Sequence, residues 1–254
     1  MEDGQPVSTV PDVARTKDLR RSIRPIGPSE PPAVFVARRS LLGGAQVRWS
    51  NRDDGDLAGW GPEVQRRRQQ VVALPWTVFR QVHGRRVMVV RWPGEGSGVE
   101  ADGSVTVVRG AALAVLSADC APVALASAEG VIGVAHAGWR GLASGVLDAT
   151  VDAMRMVGAT RIQAVIGPCI RTACYPFGAE DLDDVVAHTG PELRGVDRHG
   201  RPAADVAAGV AAALHRAGVD DVDDVGICTA CSEDHWSWRA RSEQNRQATV
   251  VWRP

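Results

Sequence analysis

Lysine is almost missing from this sequence: of 29 lysines and arginines in 254 residues, Lys17 is the only lysine. That imbalance reads first as a genome bias. Net charge is also missing. At −1 the chain carries no field of one sign that would gather nucleic acid or an anionic membrane. No apolar run reaches the roughly 18 residues that a membrane helix needs. Residues 1–30 are polar and proline-rich, without the apolar stretch of a signal peptide, so the expected location is the cytoplasm. Five cysteines, an odd number, do not make a disulfide framework. They leave reduced thiols to act as ligands or nucleophiles.

What is present is enough for a full core. Residues 1–32, with Pro25, Pro28, Pro31 and Pro32, are expected to form a disordered tail. No repeat or boundary divides residues 33–254, which are expected to form one catalytic domain. Val34–Ala37 and Gln46–Trp49 read as strands, and Glu63–Leu74 reads as a helix with Pro62 at its start. Further strands are expected over Trp76–Gly84, Arg86–Trp92, Ser104–Val108, Ala112–Ser117, Val123–Ser127, Val131–Ala135, Arg161–Ile166, Val222–Cys228 and Gln247–Trp252. Leu142–Val157 changes to a helical period, with Leu142, Val146, Leu147, Thr150, Val151 and Met154 on one stripe and Gly158 as its stop. Glu180–His188 and Val206–Ala217 are further helices, the second capped by Asp205. Helices and strands alternate irregularly among hairpin-like neighbours, which predicts an α+β fold rather than a doubly wound sheet.

The stretch "SADCAPVALASAEGVIGVAHAGWRG" (117–141) sets Asp119 and Cys120 at one end of an apolar segment and His136 at the other. His83 similarly ends a β-rich run and precedes a glycine. Two imidazoles and a thiolate make a three-ligand shell for zinc that leaves a fourth position open, and zinc makes hydroxide from its bound water near neutral pH. Packing accounts for the same residues as a small buried thiol and two satisfied core histidines, and the long spacings among His83, Cys120 and His136 form no local ligand motif. His188, His199 and His215 lie in surface-like contexts. Gly138-Trp139-Arg140-Gly141 opens a helix, where backbone amides and a guanidinium could hold an anion. Arg239 and Arg246 could add to it, whereas Arg241 reads as a solvated surface arginine. Asp102 and Asp119 could orient a ligating histidine, act as acid or base, or serve as turn residues. "CTAC" (228–231) is a C-x-x-C, but Cys169 and Cys174 are too far apart to complete a zinc ribbon, and the pair does not sit at the strand-to-helix turn of a redox motif.

The motifs "RQVHG" (80–84), "ADGSVT" (101–106), "ADCAPV" (118–123), "GVAHAGWRG" (133–141), "IGPCI" (166–170) and "CTAC…SWR" (228–239) resemble, in order, those of the YfiH-type proteins, also called the multicopper polyphenol oxidoreductase (laccase-domain) family. The resemblance spans about 33–254. It implies an α+β sandwich of two β-layers flanked by helices, with zinc held by His83, Cys120 and His136. It implies purine nucleoside phosphorolysis on adenosine, inosine, guanosine or methylthioadenosine, with adenosine deamination beside it. Catalytic roles are expected for Cys120, His136, Arg140 and Asp119, and substrate or phosphate contacts for Gln81, Asp102, Arg140, Arg239 and Arg246. The alternatives are a copper polyphenol oxidase, a Cys120/His136 hydrolase that edits peptidoglycan precursors, and a binding protein without turnover. The expected partners are a small nucleoside and phosphate, with no nucleic acid and no membrane, for a monomer or weak homodimer. The chain departs from the family at Tyr175-Pro176-Phe177-Gly178, where "YEVG" is usual, at Ala240-Arg241-Ser242, where "RDG" is usual, and around Arg38–Gln46, where "R-x-GG-x-S" is poorly kept. All three departures bear on substrate choice more than on the metal.

Overall fold

A computed structural model describes residues 37–254. The expected tail and all but the last residue of the Val34–Ala37 strand lie outside that range. The chain begins with the antiparallel pair β1 (Arg38–Ser40) and β2 (Gln46–Trp49). Helix α1 (Pro62–Val71) starts on a proline, whose missing N–H is lost at no cost in a first turn. It stops short of the expected Leu74, because Pro75 disfavours helical backbone in the residue before it. Strands β3 (Trp76–Val78), β4 (Val87–Val89), β5 (Gly103–Thr106), β6 (Ala112–Ser117), β7 (Ala121–Ser127) and β8 (Ile132–Ala137) follow. The expected strand through "WTVFRQVHG" ends early, and residues 81–86 form an irregular loop.

The expected helix over Leu142–Val157 is two pieces, α2 (Trp139–Ala143) and α3 (Val146–Met156). They are separated by Gly145 at φ +79°, a left-handed conformation that no helix continues through. The apolar stripe is buried as its spacing predicts, from Val146 and Leu147 to Val151 and Met154. Next come β9 (Ile162–Ile166) and α4 (Ala179–Thr189). A short hairpin follows, β10 (Arg194–Val196) and β11 (Pro202–Ala204), which periodicity does not announce. Helix α5 (Val206–Arg216) has its N-cap in Asp205, which accepts from the Ala208 amide at 3.0 Å. β12 (Asp221–Asp224) is shorter than expected, with Gly226 turning at φ +74°. Helix α6 (Trp238–Arg241) and strand β13 (Gln247–Trp252) close the chain.

Apart from the β10–β11 hairpin, the strands build two sheets, in the orders β1-β2-β13-β6-β3 and β12-β9-β7-β8-β5-β4. Pairing is antiparallel except at β3/β6, β4/β5 and β9/β12. Trp49, Leu113, Val115 and Val251 of the first sheet meet Ala126, Ile132, Val134 and Val165 of the second in one buried layer. The far face of the second sheet packs Val123, Leu125 and Ile166 on Val151, Met154, Leu182, Val210 and Leu214 of the helices. The far face of the first packs Ala114, Val250 and Trp252 with Leu57 and Val71. The fold is therefore α+β, two β-layers between helices. Each fully buried Leu or Ile in these layers contributes roughly 1.5–3 kcal/mol relative to exposure. The chain crosses from the first sheet to the second in the β3–β4 and β6–β7 connections, and back in β5–β6 and between β12 and β13.

Candidate active site

His83, Cys120 and His136 come from three separate elements. His83 sits in the β3–β4 loop with φ +59°, Cys120 in the β6–β7 crossover, and His136 near the end of β8. The one-to-one pairing of β7 with β8 sets Pro122 opposite His136, so Cys120 and His136 meet at one end of the hairpin. The ligand atoms of all three residues lie within 4.8 Å of one another, with His83 Nε2 3.7 Å from Cys120 Sγ. The imidazole centroids are 4.8 Å apart. Tetrahedral zinc with bonds near 2.0 and 2.3 Å would separate a nitrogen and a sulfur by about 3.5 Å. The donor set therefore fits zinc with small movements.

Gly138 permits this approach. A Cβ on it would stand 2.6 Å from Cys120 Sγ and 3.1 Å from His83 Cδ2. The glycine of "AHAGWRG" is thus the one sequence signal of a close approach there, since no larger residue fits at that position.

Asp102 organises the cluster from behind. Its Oδ1 lies 2.9 Å from His136 Nδ1 and accepts from the His83 amide at 2.9 Å. Its Oδ2 accepts from the amides of Val82 at 3.1 Å and Gly84 at 2.8 Å. Expected among the substrate contacts, it instead lies buried outside the cavity wall, fixing the left-handed turn at His83 and turning His136 Nε2 outward. Burial works to raise its pKa, but the His136 hydrogen bond and the amides outweigh that and hold it below the ordinary value. Burial likewise opposes the charged forms of Cys120 and His136. Their mutual attraction wins, bringing the thiol down to about 5 and the imidazole up to about 9.

The cluster forms part of the wall of a cavity of about 490 Å³, also lined by Phe79, Trp139, Tyr175, Phe177 and Trp238. Among the predicted residues, Gln81, Asp119, Arg140, Arg239 and Arg246 also line it. Gln81 is committed to the backbone, donating to the Leu116 carbonyl at 2.7 Å and accepting from its amide at 2.8 Å. Arg140 lies over the Trp139 ring at 4.3 Å, on a helix of only five residues. Arg246 directs Nη1 to the carbonyls of Glu243, Gln244 and Asn245. Arg239 stacks 4.7 Å over Tyr175, and its buried Nη1 has no hydrogen-bond partner among the described residues.

Asp119 takes a strained φ of +144°, a conformation that costs of order 1–3 kcal/mol. Three donors hold it there: the hydroxyls of Thr229 and Ser237, each at 2.7 Å, and the Arg239 amide at 2.6 Å. Its carboxylate thereby ties the Cys120 turn to the segment that carries Arg239. Burial pushes its pKa up to about 7 against those hydrogen bonds. Arg241 is exposed, as expected of it, but it is also structural. Its guanidinium donates to the carbonyls of Thr229, Ala230, Ser232 and His235 and knots that same segment. His188, His199 and His215 are exposed and apart from the site.

No helix among the described residues is long and apolar enough to cross a membrane. The sequence model of the multi-copper polyphenol oxidoreductase laccase family matches residues 61–254. A Streptomyces coelicolor protein named purine nucleoside phosphorylase is 44% identical over 178 residues, 68% of this chain and 73% of its own. A Corynebacterium glutamicum protein of the same name is 34% identical over 233 residues, 87% of this chain and 94% of its own. Among solved structures, a Neisseria meningitidis protein described as DUF152 superposes with a TM-score of 0.71 at 29% identity, covering 82% of this chain and 94% of that one. With the family's sequence model spanning every residue of the cluster and its cavity, the chain belongs to the multi-copper polyphenol oxidoreductase laccase family.

Proposed function

We propose that this chain is a purine nucleoside phosphorylase whose His83–Cys120–His136 cluster holds zinc. The observation that carries the reading is Arg239, a cation in the cavity wall with one buried Nη1 lacking a hydrogen-bond partner among the described residues. An anion such as phosphate supplies that partner, and a charge-assisted bond made away from water is a strong one. The volume suits a nucleoside. Tyr175, Phe177 and Trp139 offer flat apolar faces for a purine. Arg239 and Arg140 hold phosphate with one oxygen toward the anomeric carbon. The C1′–O bond forms as the C1′–N9 bond breaks, and its electron pair leaves with the base. A zinc ion at the cluster would supply Lewis acidity and an acidified water, the chemistry that adenosine deamination would draw on. The relatives' name supports the phosphorolysis reading. Copper is the less favoured occupant, since six histidines in the whole chain leave few imidazoles for the several coppers of a laccase.

The test is incubation with adenosine or inosine, with and without phosphate, followed by chromatography of the products. The expected result is free base only where phosphate is present, and at least a tenfold lower kcat/KM for phosphate in Arg239→Ala. Absence of base release with every purine nucleoside overturns the proposal. A second reading takes Cys120 as a nucleophile with His136 as its base, favoured by the lowered thiol and raised imidazole. It predicts activity that survives chelation, where the zinc reading predicts activity lost on chelation and restored by zinc.

A further inference from the structure

The C-x-x-C that sequence spacing left without a partner finds one in space. Cys174 follows the bridge that pairs Cys169 with Cys228, and this pairing carries it to the "CTAC" turn. The sulfurs of Cys174, Cys228 and Cys231 all lie within 4.8 Å of one another, with Cys174 and Cys231 3.2 Å apart. All three are free thiols, graded from buried Cys174 through half-buried Cys228 to exposed Cys231, so the group opens to solvent on one side. The Arg198 guanidinium donates to Cys174 Sγ and approaches Cys231 Sγ at 3.7 Å.

We propose that Cys174, Cys228 and Cys231 form a second metal site, for a thiophilic cation of which zinc(II) best fits the charge. Tetrahedral bonds of 2.3 Å separate two sulfurs by about 3.8 Å, so each sulfur has to move by about 1 Å or less. Each thiol releases its proton to solvent as its metal–sulfur bond forms. Three thiolates, one divalent cation and the Arg198 guanidinium then sum to zero charge, where a monovalent ion would leave one negative charge over. Thiolates select zinc and copper(I) over the hard cations. Arg198 serves the site as a donor to sulfur, the outer contact that fixes thiolate ligands. The fourth position faces solvent on the Cys231 side.

Such an ion would clip the turn before Tyr175 to the segment leading to Arg239. Tyr175 and Arg239 stack at 4.7 Å in the cavity wall. The site therefore braces the cavity from outside, on ligands separate from His83, Cys120 and His136.

The test is zinc titration of reduced, metal-free protein under argon against a chromophoric chelator, with cobalt(II) as the spectroscopic probe. Wild type is expected to take up two zinc ions. Cys231→Ser should take up one, and Cys120→Ser should also take up one, keeping the stronger thiolate-to-cobalt absorption of a three-sulfur site. One zinc in wild type that Cys231→Ser keeps overturns the proposal, as does a folded Cys120→Ser protein that takes up none. A third result also overturns it: purified protein lighter by two hydrogens at these cysteines, restored by thiol reductant yet still binding a single zinc, which would make the group a disulfide pair. Failure here leaves the nucleoside assay untouched, because that assay reads the other cluster.

Discussion

At the scale of single residues, the site depends most on Asp102, whose two oxygens serve three backbone amides and one imidazole. In Asp102→Asn the amide nitrogen faces a donor wherever it points, so a buried N–H loses its acceptor, at a cost of about 1–3 kcal/mol. The substitution should weaken zinc binding 10–100-fold, measured by competition with a chelator, while circular dichroism stays native. Unchanged affinity would mean that Asp102 does not orient His136. The Cys120–His136 pair predicts a pH dependence for the metal-free protein. The folded thiol titrates near 5 instead of 9.0, so its stabilisation is present above 9.0 and lost as pH falls towards 5. The folded imidazole titrates near 9 instead of 6.5, so its stabilisation is present below 6.5 and lost as pH rises through 9. Between 6.5 and 9 the folded ion pair and the unfolded neutral pair bind the same number of protons, and the two slopes cancel. The pair therefore contributes a stability that rises from pH 5 to 6.5 and stays level to 9, while Asp119, raised from 3.8 to about 7, loses stabilisation as pH rises to 7 and opposes the rise. The pair's share is read by urea unfolding as the difference from Cys120→Ser, which should grow from pH 5 to 6.5; a difference independent of pH over that range would contradict the ion pair.

At the scale of elements, α3 lies close on the second sheet because two strand positions lack a side chain. A Cβ at Gly103 would come within 2.7 Å of Thr150 Oγ1, and one at Gly133 within 3.0 Å of Met154 Sδ. Gly103 is also the neighbour of Asp102 and pairs with Ala135 beside His136. Gly103→Ala should then push the helix off the sheet, costing about 1–3 kcal/mol, and should also weaken zinc binding. Loss of stability without loss of affinity would show that strain at the helix does not reach Asp102. Strand and helix positions of this kind were largely legible beforehand. Ala112–Ser117 and Gln247–Trp252 match to the residue because continuous apolar runs between turn signals leave few alternatives. Gly145 was hidden inside a good helical stripe, since burial of Val146, Leu147 and Val151 satisfies the period whether or not the backbone breaks first. The β10–β11 hairpin was unreadable because three-residue strands carry too little alternation. Within the site, the spacing of His83, Cys120 and His136 does not join them, and only the motif resemblance does. The roles of Asp102, Asp119 and Arg241 depend on which backbone groups fold against them, and one-dimensional spacing does not contain that.

At the scale of the whole molecule, both crossovers from the first sheet to the second carry a residue of the His83–Cys120–His136 cluster. His83 lies on the strand-to-strand connection from the first sheet to the second, Cys120 on the next one, and His136 on the second sheet itself. Asp119 then ties the Cys120 turn to the segment running back into the first sheet at β13. A metal bound there links parts of the chain that the buried layer between the sheets also links. Removing it should lower stability without creating a second unfolding unit. A ligand that binds only the folded state at a hundred times its Kd stabilises by about 2.7 kcal/mol. For a domain of this size each kcal/mol shifts Tm by roughly 2–4 °C. Calorimetry with excess chelator should therefore show Tm lower by about 5–10 °C, still in a single transition, and zinc should restore it. In a His136→Ala protein whose second cysteine group has been disabled by Cys231→Ser, chelator should change Tm by less than about 1 °C on the same scale. A chelator-induced split into two transitions would contradict the shared core, because the two sheets would then be unfolding as separate bodies joined only by the metal.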